Sequence, residues 1–206
     1  MIRLYGVIPL KKTNNRNTKG RIVSAAWKLF YEQGYDDTTV EEIIAESQTS
    51  KGSFYHYFEG KDALLSSLSY LFDEKYQELV TKLSDDQTYF EQLIFLNQEL
   101  FAMIENSVSL DLLARLYSSQ LVTKSEKHLL DHNRYYYKLL RQIVLKGQES
   151  GEFRNDMSSN EIVKIYALSE RALLYDWCIC NGEYSLKMYA GTVMPMFLSK
   201  ILKSQC

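Results

Sequence analysis

Apolar residues recur every three or four positions along most of this chain, and polar caps and glycines cut the pattern into segments. Ile22, Ala26, Leu29 and Phe30 fall on one face of a helix expected over 18–33, entered from Asn17 or Thr18. Gly34 closes it, because glycine takes the left-handed position after a helix without steric strain. Thr39 and Glu42 have capping-box spacing and open a short second helix carrying Ile43 and Ile44. Ser47-Gln48-Thr49 is a polar break. Ser50 then caps a third helix over 51–58, in which Phe54 and Phe58, four apart, point inward. Three helices of about 16, 8 and 8 residues, with a short turn between the last two, describe a helix-turn-helix.

The rest reads as longer helices over 62–83, 88–105, 110–117, 125–149, 158–180 and 185–203. Ser158 and Glu161 repeat the capping-box spacing. Gly151 and Asn181-Gly182 are stops. Pro195, four residues after Gly191, is expected to kink or break the last helix by removing a backbone hydrogen bond.

Composition agrees with an all-α chain. Nine glycines and two prolines in 206 residues are too few for the turns of a sheet-rich domain. No apolar run is long enough for a membrane span, and the short apolar start followed by Lys11 and Lys12 does not read as a signal peptide. Three cysteines argue against a disulfide framework, which places the chain in the cytoplasm. The net charge of −2 hides a split. Residues 1–61 hold nine basic and seven acidic side chains, whereas the remainder is acidic. A weakly basic module on an acidic body is compatible with nucleic-acid contact.

The third helix carries the most pointed chemistry. Tyr55, His56 and Tyr57 are expected to face outward, an unusual run of polar aromatics on one turn. Thr49, Ser50 and Ser53 place hydroxyls near the helix N-terminus, where free N–H groups suit a phosphate. Gly52 lets the backbone approach a duplex closely, and Lys51 and Lys61 flank the helix with positive charge. An aromatic-rich packing helix is the competing reading.

The sequence resembles the TetR family of transcriptional regulators. The likeness is carried by Trp27-Lys28-Leu29-Phe30, Gly34-Tyr35, Thr38-Thr39-Val40, Ile43, Ser50-Lys51-Gly52-Ser53-Phe54-Tyr55-His56-Tyr57-Phe58 and Lys61-Asp62-Ala63-Leu64-Leu65. Gly151-Glu152-Phe153-Arg154 before a long helix adds to it. The family's turn often reads Ala-Gly-Val-Ser, where this chain has Ser47-Gln48-Thr49-Ser50. The resemblance implies a three-helix DNA-binding domain at 18–61 and a larger helical effector-binding and dimerisation domain at 62–206, about nine helices in all. A flexible arm at 1–17 would precede them, with Lys11, Lys12 and Arg16 as its basic residues. DNA contacts would come from Thr39, Thr49, Ser50, Lys51, Gly52, Ser53, Tyr55, His56, Tyr57 and Lys61, the last gripping a phosphate. The partners implied are a palindromic operator in double-stranded DNA, a second copy joined through the last two helices, and a small-molecule effector that releases a repressor from DNA.

Candidate effector contacts are Phe101, Tyr117, Tyr137, Tyr166, Arg171 and Trp177: aromatics with polar tips, and a charge in the middle of an apolar helix. Each of these side chains also fits an ordinary core role. His128 and His132, four apart, would share a helical face able to hold a metal, but no third ligand is in view, and no metal or cofactor is assigned. No phosphate loop, zinc-protease helix or nucleophile elbow is present, so the chain does not read as an enzyme. A protein–protein adaptor on the same scaffold is the alternative to a DNA-binding regulator.

Overall fold

The computed structural model describes residues 18–122 and 127–203. The basic arm with Lys11, Lys12 and Arg16, the Asn17 start and the Ser125 start lie outside the described residues. The described residues form ten α helices: α1 (Thr18–Glu32), α2 (Val40–Glu46), α3 (Lys51–Tyr57), α4 (Lys61–Leu65), α5 (Leu68–Val80), α6 (Tyr89–Ser107), α7 (Leu110–Val122), α8 (Tyr135–Glu149), α9 (Ser159–Ile179) and α10 (Leu186–Leu198). Two single 3-10 turns, His128–Leu130 and Ser199–Ile201, complete the count. None of the described helices is long and apolar enough to cross a membrane.

Local chemistry sets most helix ends. Thr39, Thr88 and Ser158 each close a full capping box with Glu42, Glu91 and Glu161. The Glu42 and Glu161 carboxyls are held below the ordinary glutamate value by the hydrogen bonds of their capping threonine and serine. Gly34, Gly151 and Gly182 take positive φ after their helices, as a left-handed stop requires.

Three elements differ from the sequence expectation. The helix expected over 62–83 is divided into α4 and α5. Ser66, Ser67 and Ser69 donate their hydroxyls to the carbonyls of Ala63, Leu64 and Ser66, and the backbone there tightens to three-residue bonds. The helix expected from residue 125 begins only at Tyr135. His128 therefore sits in a 3-10 turn, and exposed His132 lies before α8 against the Tyr137 ring, so the two share no helical face. Pro195 lies within α10, which continues through it to Leu198 before tightening to 3-10.

The chain divides into two compact units. The first holds the described residues up to Tyr70 together with those of Asp111–Leu129. This differs from a simple boundary at residue 61: Leu64 and Leu65 are buried, and α7 belongs with the amino-terminal helices. Its core is Ile22, Ala26, Phe30, Ile43, Phe54, Phe58 and Leu64.

The second unit holds Leu71–Leu110 and the described residues from Leu130 onward, with α6, α8, α9 and α10 packed together. The segment after α8 ties it together. Glu152 accepts from the backbone N–H groups of Tyr89 and Phe90 at 2.9 and 2.8 Å, capping α6 from a distant part of the chain. Phe153 is fully buried and forms a single antiparallel bridge with Leu202.

Candidate functional site

The turn between α2 and α3 is built by a Schellman motif. Gln48 N–H donates to the Ala45 carbonyl and Thr49 N–H to the Ile44 carbonyl, both at 3.1 Å. The motif demands a left-handed residue, and Gln48 supplies it at φ 52°. A side chain at this position works against about 1–2 kcal/mol of steric cost. Gln48→Gly is therefore expected to raise stability by about 0.5–1 kcal/mol once the entropy of the unfolded glycine is subtracted. Thermal melts of the two proteins check this, and a lower midpoint for the glycine variant would contradict it.

Ser50 caps α3 by accepting from Ser53 N–H at 3.0 Å, and the Ser50 and Ser53 hydroxyls are hydrogen-bonded to each other. Phe54 and Phe58 bury one side of α3. With that face fixed, helical geometry turns the intervening side chains outward. Tyr55 and Tyr57 are 48% and 42% exposed, and Lys51, Gly52 and His56 are exposed with them. Lys51 has only a long contact, 3.5 Å, to exposed Glu41 and lies 6.0 Å from the Tyr55 ring. Such a surface pair is weak and readily exchanged for a phosphate. The result is a short rigid ridge with one cation, two phenols, an imidazole and a stretch of bare backbone.

The other expected contacts are placed differently. The Thr39 hydroxyl serves the α2 cap, and the Thr49 hydroxyl bonds to that of Ser47 at 2.8 Å. Lys61 spends its three ammonium protons inside the unit, on the carbonyls of Tyr35, Asp36 and Thr38 at 2.8, 3.1 and 2.9 Å. That arrangement accounts for Lys61 as a brace of the α1–α2 loop and leaves the expected phosphate grip without support.

Tyr35 carries part of the family likeness but no contact role in the sequence, and it organises this loop. Its hydroxyl donates to Asp62, and its ring lies 4.5 Å from the Lys61 ammonium and 4.9 Å from the Arg115 guanidinium. Burial, reinforced by Asp62, holds its phenol well above the ordinary tyrosine value, so it remains a donor. Arg115 on α7 also pairs with Asp111 and Asp36. This explains why α7 falls in the first unit.

The model of the family described as bacterial regulatory proteins, tetR family, matches residues 22–68, the stretch that contains this ridge and its supports. Residues 22–68 are thus similar to the amino-terminal segment of the TetR family. The HTH-type transcriptional regulator YuxN of Bacillus subtilis (strain 168) is 45% identical over 60 residues, which are 29% of this chain and 21% of YuxN. The HTH-type transcriptional repressor DhaR of Mycobacterium sp. (strain GP1) is 26% identical over 187 residues, covering 86% of this chain and 90% of DhaR. Among solved structures, Thermus thermophilus FadR, a TetR-family repressor in complex with lauroyl-CoA, has a TM-score of 0.71 at 22% identity. That alignment covers 91% of this chain and 97% of the other, a likeness of fold.

The effector candidates of this chain are scattered. Phe101, Tyr137, Tyr166 and Trp177 are buried in the second unit, and Tyr117 lies on α7 in the first. Trp177 donates to the Tyr184 carbonyl at 2.9 Å and Tyr166 to the Leu93 carbonyl at 3.0 Å, which are core duties. Arg171, expected as the internal charge, is only half-buried and reaches the Tyr137 hydroxyl at 3.4 Å.

The internal charge is its neighbour Glu170. This carboxyl accepts from Asn97 at 3.0 Å, from Tyr136 at 2.6 Å and from Tyr76 at 3.2 Å. All four residues are buried. Burial pushes the Glu170 carboxyl above its ordinary value, and the donors oppose that shift. The signal was present in the sequence: Tyr166, Glu170, Leu173 and Trp177 share one helical stripe, so Glu170 sits where an apolar residue is expected.

Proposed function

We propose that this chain is a dimeric, operator-binding transcriptional repressor that works in the cytoplasm and is released from DNA by a small molecule held in its second unit. The observation that carries the reading is the exposed ridge of α3 opposite a fully buried Phe54. Tyr55, His56 and Tyr57 enter the major groove, Lys51 neutralises a phosphate, and Gly52 permits close approach. Lys61 and Tyr35 act as positioning residues that hold the loop behind α2.

The surface of the last two helices supports dimerisation. Leu168, Tyr175 and Ile179 on α9, with Met188, Met196 and Phe197 on α10, are large apolar side chains left exposed in one chain. On α9 they fall with Ala172 on a single stripe, as a helix packing against another helix requires. A single helix-turn-helix makes few base contacts, and a second copy supplies the other half-site about 34 Å away. Release by a ligand requires that it bind the DNA-incompetent arrangement more tightly than the competent one.

The test is a gel shift on the DNA upstream of the protein's own gene at two salt concentrations. Binding is expected to weaken steeply with salt. Tyr55→Ala is expected to cost about 1–3 kcal/mol of specific affinity, and Lys51→Ala to lower the salt slope by about one. An adaptor would show neither effect, and wild-type affinity in both variants would refute the assignment of α3.

A further inference from the structure

The buried cluster around Glu170 is costly, which raises the question of what it binds. A carboxylate removed from water without a cation is destabilising, and apolar side chains of similar volume usually pack there at lower cost. Glu170 has no ion-pair partner among the described residues. Arg134, whose guanidinium lies 5.7 Å from the Tyr136 ring, is committed to Asp73 at 2.9 and 3.1 Å. A second, independent observation lies beside it. Asn97 is fully buried, and its Oδ1 has no hydrogen-bond partner, because the amide turns its Nδ2 toward Glu170. A buried acceptor left in that state is rare in a folded core.

The polar inventory of the cluster is one-sided. Tyr76, Tyr136 and Asn97 direct protons at Glu170, and Tyr166 donates to Leu93. What remains is acceptor capacity: Asn97 Oδ1, the phenol oxygens and the carboxylate. The walls are aromatic, with the Tyr76 and Tyr136 rings 5.1 Å apart and the Tyr136 and Tyr137 rings 4.7 Å apart. Acceptors, negative charge and ring faces together call for a donor-bearing cation. An acyl chain brings no donor, and a phosphate or carboxylate would set like charge against Glu170.

We infer that the effector of this chain is a small organic cation carrying N–H groups, held by the Glu170 carboxylate, Asn97 Oδ1 and the faces of Tyr76 and Tyr136. The inference rests on the effector-responsive reading of the second unit and names the ligand class. Entry requires these buried side chains to part, so the bound arrangement differs from the one described here. That difference is what a ligand needs in order to shift a population.

The experiment is thermal shift and calorimetry on the full chain with 2-phenylethylamine, tryptamine, spermidine and ethidium. Controls are 2-phenylethanol, indole-3-acetate and lauroyl-CoA. At least one cation is expected to raise the wild-type midpoint while the neutral and anionic controls do not. Glu170→Gln, nearly isosteric, is expected to raise the midpoint of the unliganded protein and weaken cation binding at least tenfold. Asn97→Leu is expected to weaken it as well. Equal cation affinity in Glu170→Gln overturns the inference. A shift by lauroyl-CoA with all cations silent overturns it too, but leaves an effector-responsive second unit standing. Silence of every compound counts against both.

Discussion

Gly147→Ala is expected to destabilise the second unit by about 2–3 kcal/mol, although alanine is the better helix former. A Cβ on Gly147 would stand 2.3 and 2.5 Å from two atoms of the Phe153 ring, closer than non-bonded carbons approach. The ring has little room to yield. Phe153 is fully buried, its N–H donates to the Gly147 carbonyl at 2.9 Å, and the neighbouring backbone is tied to the chain's end by Arg154 N–H to Ile201 and Lys203 N–H to Glu152. The alanine's helical advantage of about 1 kcal/mol offsets only part of the clash. At about 2–4 °C of midpoint per kcal/mol, a thermal melt resolves the loss. Phe153→Ala should cost about 3–5 kcal/mol by leaving a cavity. In the double variant the added methyl enters that cavity, so the two losses should fall well short of their sum. Strict additivity, or an unchanged midpoint in Gly147→Ala, would show that the contact is not under strain.

Leu168→Arg combined with Met196→Arg should convert the protein to a monomer and lower operator affinity by about a hundredfold or more. Both side chains are largely exposed in the single chain, at 54% and 69%, so the substitutions remove little from its own core. In the proposed dimer each charge would instead be buried against an apolar partner helix, which is strongly unfavourable. Loss of the second reading head turns a two-site engagement into a one-site one, and linked binding of that kind is worth about 10²–10⁴ in affinity. Sedimentation reads the mass, a gel shift the affinity, and a melt confirms an intact fold. A variant that stays dimeric, or a monomer that keeps full operator affinity, would rule out this face as the one that pairs the heads.

How much was legible in the sequence depended on the range of the interaction. The caps legible in the sequence lie within four residues of what they cap. Thr39 with Glu42, Ser158 with Glu161 and Gly34 could therefore be read directly, and each holds its expected place. The alternation of buried Phe54 and Phe58 with exposed Tyr55 and Tyr57 follows from helical period alone. Lys61 reads as a phosphate contact because it stands beside a recognition helix, whereas its acceptors in this chain lie 23 to 26 residues earlier, in a loop whose path sequence does not give. The division of 62–83 was missed because three serine hydroxyls outcompete a helical pattern that the apolar residues alone would sustain.

The sequence by itself determined that this chain is helical, where most of its helices begin and end, and that one short helix presents an unusual polar-aromatic face. These depend on backbone bonds and side-chain periods closed within a few residues. Only the tertiary structure decided what the charged and aromatic side chains do. Arg115 meets Asp36 across 79 positions, and Tyr76 meets Glu170 across 94. A charge acquires its role from the dielectric and the partners around it, and packing of remote helices supplies both.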